Sequence, residues 1–342
     1  MFWVIGYNVA YGIPEGGYIG SFTPWSDASA IETGYSDGSD WWFQMVFCAT
    51  TVSIVSGTLA ERIKIWPFFL FAAILTGVIY PIEMGWQWGG GWLSAAGFSD
   101  FAGSTLVHAA GGAAALAGAI VLGPRLGRFS NGKLVPFASS SIPLATLGTF
   151  ILWFGWFGFN GGSQLALAGF ENATAVATIY INTNLAACAG VMTCAIITRL
   201  VNGKTDVIMM LNGALGGLVA ITAEPLTPTP LMAIIIGSIG GIIVILGTQA
   251  LNKFQIDDVV GAIPVHLFAG IWGTLAVPLT NSGTSFGPQL LGTASICAFV
   301  FVVSFIVWSI MKATIGIRIS EEAEKEGTDI AETGVTAYAI RD

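Results

Sequence analysis

The chain contains only two histidines, and each lies in a run that is otherwise apolar. His108 sits in "DFAGSTLVHAAGGAAALAGAIVLGP" (100–124) and His266 in "DDVVGAIPVHLFAGIWGTLAVPL" (257–279). Aligned on the imidazoles, Asp100, Gly103, Val107, His108 and Gly112 fall on Asp258, Gly261, Val265, His266 and Gly270. Glycine is common, at 45 of 342 residues, so it carries little of this match, and the Asp–His spacing carries most of it. A lone imidazole in a helix is ordinarily a satisfied packing residue. Ionisable groups in lipid are costly, however, and face a cavity or a partner. Two of two, at equivalent positions, predict a pair lining one path. Whether neutral or sharing one proton, such a pair can donate to and accept from a small polar solute, or pass protons.

Asp100 and Asp258 each precede a helix, where a carboxylate caps free N–H groups and meets the positive end of the dipole. Capping is the expected role of both, and Asp100 also places negative potential near one end of the path. A second constellation is aromatic: "WWFQMVF" (41–47), "WQWGGGW" (86–92) and "FGWFGFNGGS" (154–163). Interfacial Trp and Tyr ordinarily anchor a chain in its membrane. Phe packed among Gly fits that role less well, and converging Phe and Trp faces can hold a desolvated cation, with Ser163 as an added acceptor. The four cysteines, Cys48, Cys188, Cys194 and Cys297, have no metal-type spacing and read as small buried hydrophobes.

The elements that must position these residues are membrane helices. The chain is 54% hydrophobic and 9% charged, against roughly a quarter charged in soluble domains, so it cannot cover a water-facing surface. Apolar stretches near the ~20 residues a spanning helix needs recur at 42–64, 65–84, 104–123, 139–159, 174–198, 208–222, 230–250, 260–279 and 290–312. The fold class is an all-α polytopic membrane protein with about nine full spans. "MFWVIGYNVA" (1–10) is apolar but reaches only ~15 Å. It reads as the outer half of a helix that begins before residue 1, so the sequence reads as N-terminally incomplete.

Every one of the 12 Lys and Arg residues falls in alternate connections: Arg62 and Lys64; Arg125, Arg128 and Lys133; Arg199 and Lys204; Lys253; and Lys312, Arg318, Lys325 and Arg341. The positive-inside bias makes that side cytoplasmic, with the C-terminus inside and the aromatic connections outside. The two His helices then run in opposite directions. Inverted repeats of this kind place the site where their halves meet, near the midplane.

These residues also resemble a known family. "DFAGSTLVHAAGGAAALAGAIVLGPR" is similar to the signature of the ammonium transporters (Amt/Mep/Rh), and "FQMVFCATTVSIVSGTLAERIK", "GWFGFNGGS" and "IDDVVGAIPVHLFAGIWGTLA" are similar to its neighbouring blocks, nearest the bacterial Amt branch. The resemblance implies an inverted-repeat transporter domain over 1–312 and a cytoplasmic regulatory tail over 313–342. It implies His108 and His266 as twin pore histidines, and Phe47 and Phe159 as the pair closing the outer end of the pore. Phe47, Trp88 and Ser163 would recruit ammonium, supported by Asp100, with Phe43 and Trp156 as further aromatics along the path. It further implies a homotrimer in the plasma (inner) membrane, contact of the tail with a PII-type signal protein, and no cofactor, metal, nucleic acid or enzymatic reaction. In the family frame the first helix and the inner half of the second are missing.

Other classes remain open on residues alone. A sensor could report ammonium through the same site. A haem or metal electron-transfer protein could use both His as axial ligands, but it leaves the aromatic site without a role. Channels for water or formate suit the composition but lack the paired motif. The acidic tail could also be merely disordered.

Overall fold

The computed structural model describes residues 1–27, 29 and 35–338. Arg341, counted among the basic residues above, lies outside them. A π-helical turn Phe2–Gly6 runs into the short helix α1, Tyr7–Tyr11. Seven helices are long and apolar enough to cross a membrane: α2 (Asp37–Leu59), α3 (Ile65–Gly85), α4 (Ser104–Leu122), α5 (Ile142–Gly162), α6 (Phe170–Asn202), α8 (Pro230–Lys253) and α10 (Phe286–Thr314). Two shorter apolar helices complete the set, α7 (Val207–Thr222) and α9 (Ile263–Leu279). These nine match the nine expected spans, with one displacement. The first begins five residues earlier than its hydropathy suggests, because the Ser36 side chain accepts from the Ser39 N–H and starts the helix at Asp37. It ends at Leu59, which leaves Arg62 and Lys64 in a connection.

Side-chain caps set several other starts: Ser141 for α5, Asp206 for α7 and Thr229 for α8. In lipid every backbone group must be satisfied within the protein, so such caps matter more than they do in water. α4 is the central element, with 89% of its apolar window buried, whereas α5 is peripheral at 11%. α4 packs on α2 and α10, α9 packs on α7 and α8, and α4 and α9 cross each other.

The crossing uses the repeat glycines. A Cβ on Gly112 would meet the Leu267 backbone, and one on Gly270 would meet the backbones of Ser104 and Ala109. Each copy's glycine therefore lets in the other copy's backbone. Each histidine lies on a π-helical turn, Ser104–Ala109 in α4 and Ile263–Phe268 in α9. Such turns locally widen a helix and often occur at functional sites.

At the basic end, Arg62 is fully buried and hydrogen-bonds the Thr58, Ala60, Gly123 and Asp257 carbonyls. It ties the ends of α2 and α4 to the loop before α9. The described part of the tail is ordered on this end. Lys312 donates to the Val121 carbonyl, Lys64 N–H donates to the Ile317 carbonyl, and Glu324 and Glu332 accept from Leu126 and Ile65 N–H. Helices α11 (Glu321–Glu326) and α12 (Thr328–Thr333) carry those two glutamates.

Helices α6, α7 and α8 touch through glycines. A Cβ on Gly190 would overlap the Gly213 carbonyl, whereas one on Gly287, at the exposed start of α10, meets nothing within 4 Å. Gly190→Ala is therefore expected to lower stability by roughly 1–3 kcal/mol through overpacking. Gly287→Ala is expected to stay within about 0.5 kcal/mol. Thermal unfolding of both variants in detergent checks the contrast, and equal midpoints would contradict the close approach.

Candidate functional site

The two histidines meet. Their Nδ1 atoms lie 3.2 Å apart and their rings stack at 5.1 Å and 25°. One Nδ1 donates to the other, so the donor ring is left with an accepting Nε2 and its partner with a donating Nε2–H. Reversing the roles takes two proton movements, the shared proton crossing between the Nδ1 atoms and the outer proton leaving one Nε2 as another reaches the other. The Nε2 of His108, fully buried, has no partner among the described residues. In an apolar setting an imidazole nitrogen left unpaired costs free energy, which a polar solute at that atom would relieve.

An aromatic series leads from this pair to the opposite end from the basic residues. Phe159 stacks on His108 at 5.2 Å and Trp156 stacks on it at 4.9 Å. Phe47 covers Phe159 at 4.2 Å, and Phe43 and Trp88 meet Phe47 edge-on at 4.7 and 5.6 Å. Ser163 donates its hydroxyl to the Phe159 carbonyl at 2.9 Å, which leaves its oxygen lone pairs able to accept. Every aromatic residue singled out in the sequence thus belongs to one contiguous contact series ending on His108.

Asp100 is buried beside this series without joining it. Its Oδ1 accepts from the Gly103 and Ser104 N–H groups and its Oδ2 from Thr105 and Leu106, at 2.7–2.9 Å. Its own carbonyl accepts the Trp88 indole N–H at 3.0 Å. A carboxylate whose acceptor sites are so filled positions the α4 turn and Trp88 and is not available to a ligand. Asp258 does the same for α9, accepting from Gly261 and Ile263 N–H and from the Thr58 hydroxyl. Gly103 and Gly261 both have positive φ, +100° and +80°, which is the conformation that lets each chain fold back over its carboxylate.

On the basic side, a cavity of about 570 Å³ opens at Arg125, Arg128 and Phe137 and reaches Trp156, His108 and His266. At its mouth Arg125 grips Asp257 with Nε and Nη2 at 2.8 and 3.0 Å and Glu61 with Nη1 at 2.7 Å. Burial pushes the Asp257 carboxyl up, but the Arg125 hydrogen bonds and the Arg125 and Arg62 charges hold it below its ordinary value. Its contribution to stability is therefore complete above the ordinary carboxyl range, near pH ~4, and is lost as pH falls through the lower folded value.

Among the described residues no group of three His, Cys, Asp or Glu is arranged to hold a metal ion. Several supporting residues carry no signal in the sequence. Thr222 accepts the Trp156 indole N–H at 2.8 Å, Thr105 and Thr274 pair at 2.7 Å, and Gln289 clamps both the N–H and the carbonyl of Ser99. Hydroxyls and amides scattered in apolar helices have no spacing signature.

The model of the Ammonium Transporter Family matches residues 1–338. The chain belongs to the ammonium transporter family. It is a multi-pass membrane protein of a family of transporters, not enzymes. It is 41% identical to a putative ammonium transporter of Synechocystis, over 99% of this chain and 78% of that protein. It is also 41% identical to the ammonium transporter Amt2 of Archaeoglobus fulgidus, over 98% of this chain and 77% of that one. Among solved structures it superposes on a sensor Amt protein with a TM-score of 0.92 at 35% identity, covering 97% of this chain and 86% of that one. On Mep2 of Candida albicans the TM-score is 0.84 at 29% identity, covering 94% and 75%.

The Asp100 turn allows a direct check. Asp100→Asn replaces one accepting oxygen by an NH2 facing two N–H donors, and each buried N–H left unpaired costs about 1–3 kcal/mol. The thermal midpoint of the variant in detergent is expected to fall, and an unchanged midpoint would show that the turn does not depend on the carboxylate.

Proposed function

We propose that this chain takes up ammonium at the aromatic end, deprotonates it and conducts ammonia between the histidines to the basic cavity. The observation that carries the reading is the unbroken contact from Phe43 and Trp88 through Phe47 and Phe159 to the paired His108 and His266. Phe47, Trp88 and Ser163 form the recruitment site. Their ring faces and hydroxyl oxygen stabilise a cation that has shed water, by about 2 kcal/mol per desolvated cation–π contact. Asp100 supports that site by holding Trp88 in place. Phe47 and Phe159 close the path below it, their rings 4.2 Å apart and tilted at 53°, and a charged ion would leave its oxygen acceptors behind to cross them. The neutral molecule crosses and meets the His108 Nε2, which has room for one hydrogen bond. Trp156, stacked on His108, keeps water from that face.

The same reading places the basic end in the cytoplasm, because all the Lys and Arg residues lie there. The protein then sits in the plasma (inner) membrane with its C-terminus inside, over residues 1–312 and the tail 313–342. Family resemblance supports a homotrimer with one pore per subunit. It also supports a regulatory tail open to a PII-type protein, and the docking of Glu324 and Glu332 on the pore-end loops suits such a role. A second reading, an ammonium sensor using the same site with little transport, is favoured by the close superposition on a sensor Amt protein.

Uptake and current in proteoliposomes test the path. His108→Ala and His266→Ala should each alter conduction or its proton coupling while assembly is retained, and wild-type flux and current in both would remove the pair from the pathway. Trp88→Leu should raise the half-saturating ammonium concentration more than it lowers maximal flux. An unchanged concentration dependence would remove Trp88 from recruitment.

A further inference from the structure

Asp40 is filled differently from the other carboxylates near the path. Asp100 and Asp258 are occupied by backbone N–H groups, and Asp257 by a guanidinium. Asp40, on the first turn of α2, is partly exposed and forms no ion pair among the described residues. An ionised carboxylate has about four lone-pair positions. This one receives the Tyr7 hydroxyl at 2.7 Å and the Gln44 amide at 3.5 Å, the second a long contact. Gln44 is 7% exposed, and its buried Oε1 has no partner among the described residues. The same amide thus donates to Asp40 through Nε2 and leaves its Oε1 able to accept.

Aromatic rings pack on Tyr7, whose hydroxyl Asp40 accepts. Tyr7 packs on Tyr11 at 4.9 Å and on Trp25 at 5.9 Å, and Trp25 stacks on Trp41 at 5.3 Å and 14°. Among the described residues every Lys and Arg lies in the connections of the opposite end, so none of them neutralises this carboxylate, and Asp37 one turn away adds negative potential. Oxygen acceptors next to an aromatic cluster suit a small cation that carries N–H donors. Asp40, Gln44 and Phe47 stand at i, i+4 and i+7, on one face of α2. Phe47 is thus about 10 Å further in.

We propose that Asp40, Gln44 and the rings of Tyr7, Trp25 and Trp41 form a second ammonium site, two helical turns outside Phe47. It holds the ion before it reaches the Phe47–Trp88–Ser163 cluster. Its place in the uptake sequence rests on the transport reading above. The binding itself does not.

The test is calorimetric titration of the purified full chain with ammonium chloride, at ionic strength held constant with sodium chloride, alongside uptake assays. Two sites are expected in the wild type. Asp40→Asn should abolish the outer one and leave the Trp88-dependent one, and Trp88→Leu should do the reverse. Tyr7→Phe should keep both, because it removes a donor that competes with the ion. In uptake, Asp40→Asn should raise half-saturation roughly three- to fivefold, the effect of one partly exposed charge contact, at unchanged maximal rate. If Asp40→Asn does not fold, Gln44→Leu carries the same test, since it removes the unpaired acceptor and spares the carboxylate.

A single site in the wild type, or two sites that both survive in Asp40→Asn, would overturn the proposal. So would equal losses in Asp40→Asn and Tyr7→Phe, which would reduce Asp40 to a structural hydrogen bond. Displacement by potassium as effective as by ammonium would overturn the choice of ion. A wild type with two sites and no uptake would sink the transport reading and leave this site standing.

Discussion

The Asp100 carboxylate takes four backbone N–H groups in one turn, and the rest of the pathway hangs from that turn. In lipid there is no water to satisfy the free N–H groups at a helix start, so each needs a protein acceptor. One side chain supplies them all at the start of α4, and its own carbonyl fixes the Trp88 indole. The turn sets where α4 begins, and thereby where His108 lies eight residues later. Asp258 repeats the arrangement from the opposite side for α9 and His266. The glycines that follow each histidine then allow the two helices to touch backbone to backbone. An Nδ1–Nδ1 contact of 3.2 Å is the product of two matched turns and two matched glycines, and not of the histidines alone.

In the function proposed above, this arrangement separates two tasks that a single site would confuse. Recognition of a charged ion would belong to ring faces and lone pairs at the aromatic end, where charge is tolerated. Passage would belong to a stretch with two imidazoles and few other free polar atoms, where a neutral, hydrogen-bonding molecule is favoured over any ion. The boundary is the Phe47–Phe159 contact. On the other side the cavity ends among Arg125, Arg128 and Glu61, and these charges are paired with one another and with Asp257, so they do not intrude on the apolar stretch.

Much of this was legible in the sequence because it rests on periodicity and rarity. Nine apolar runs gave nine helices, and two histidines in two matched frames gave a pair in contact. The start of α2 was misplaced by five residues because hydropathy does not register a serine cap before a polar first turn. The hairpin Phe129–Ser130 with Lys133–Leu134 is too short for a strand pattern, and its one local signal is Asn131–Gly132, the turn pair that such a hairpin uses. Thr222, Gln289 and the Arg62 staple were not legible at all. Each acts by reaching a residue far away in the chain, and only the fold tells which. The tail was open between disorder and regulation, and the described residues are ordered through long-range hydrogen bonds that its composition does not announce.

The central claim is that the path admits ammonium as ammonia and refuses an ion of similar size. Uptake of 15N-ammonium into proteoliposomes of the wild-type chain, followed by mass spectrometry with and without a large excess of potassium, tests it most directly. The account predicts saturable uptake, above that of protein-free vesicles, which potassium leaves unchanged. Uptake that potassium suppresses as effectively as unlabelled ammonium, or that never exceeds the protein-free rate, would contradict it.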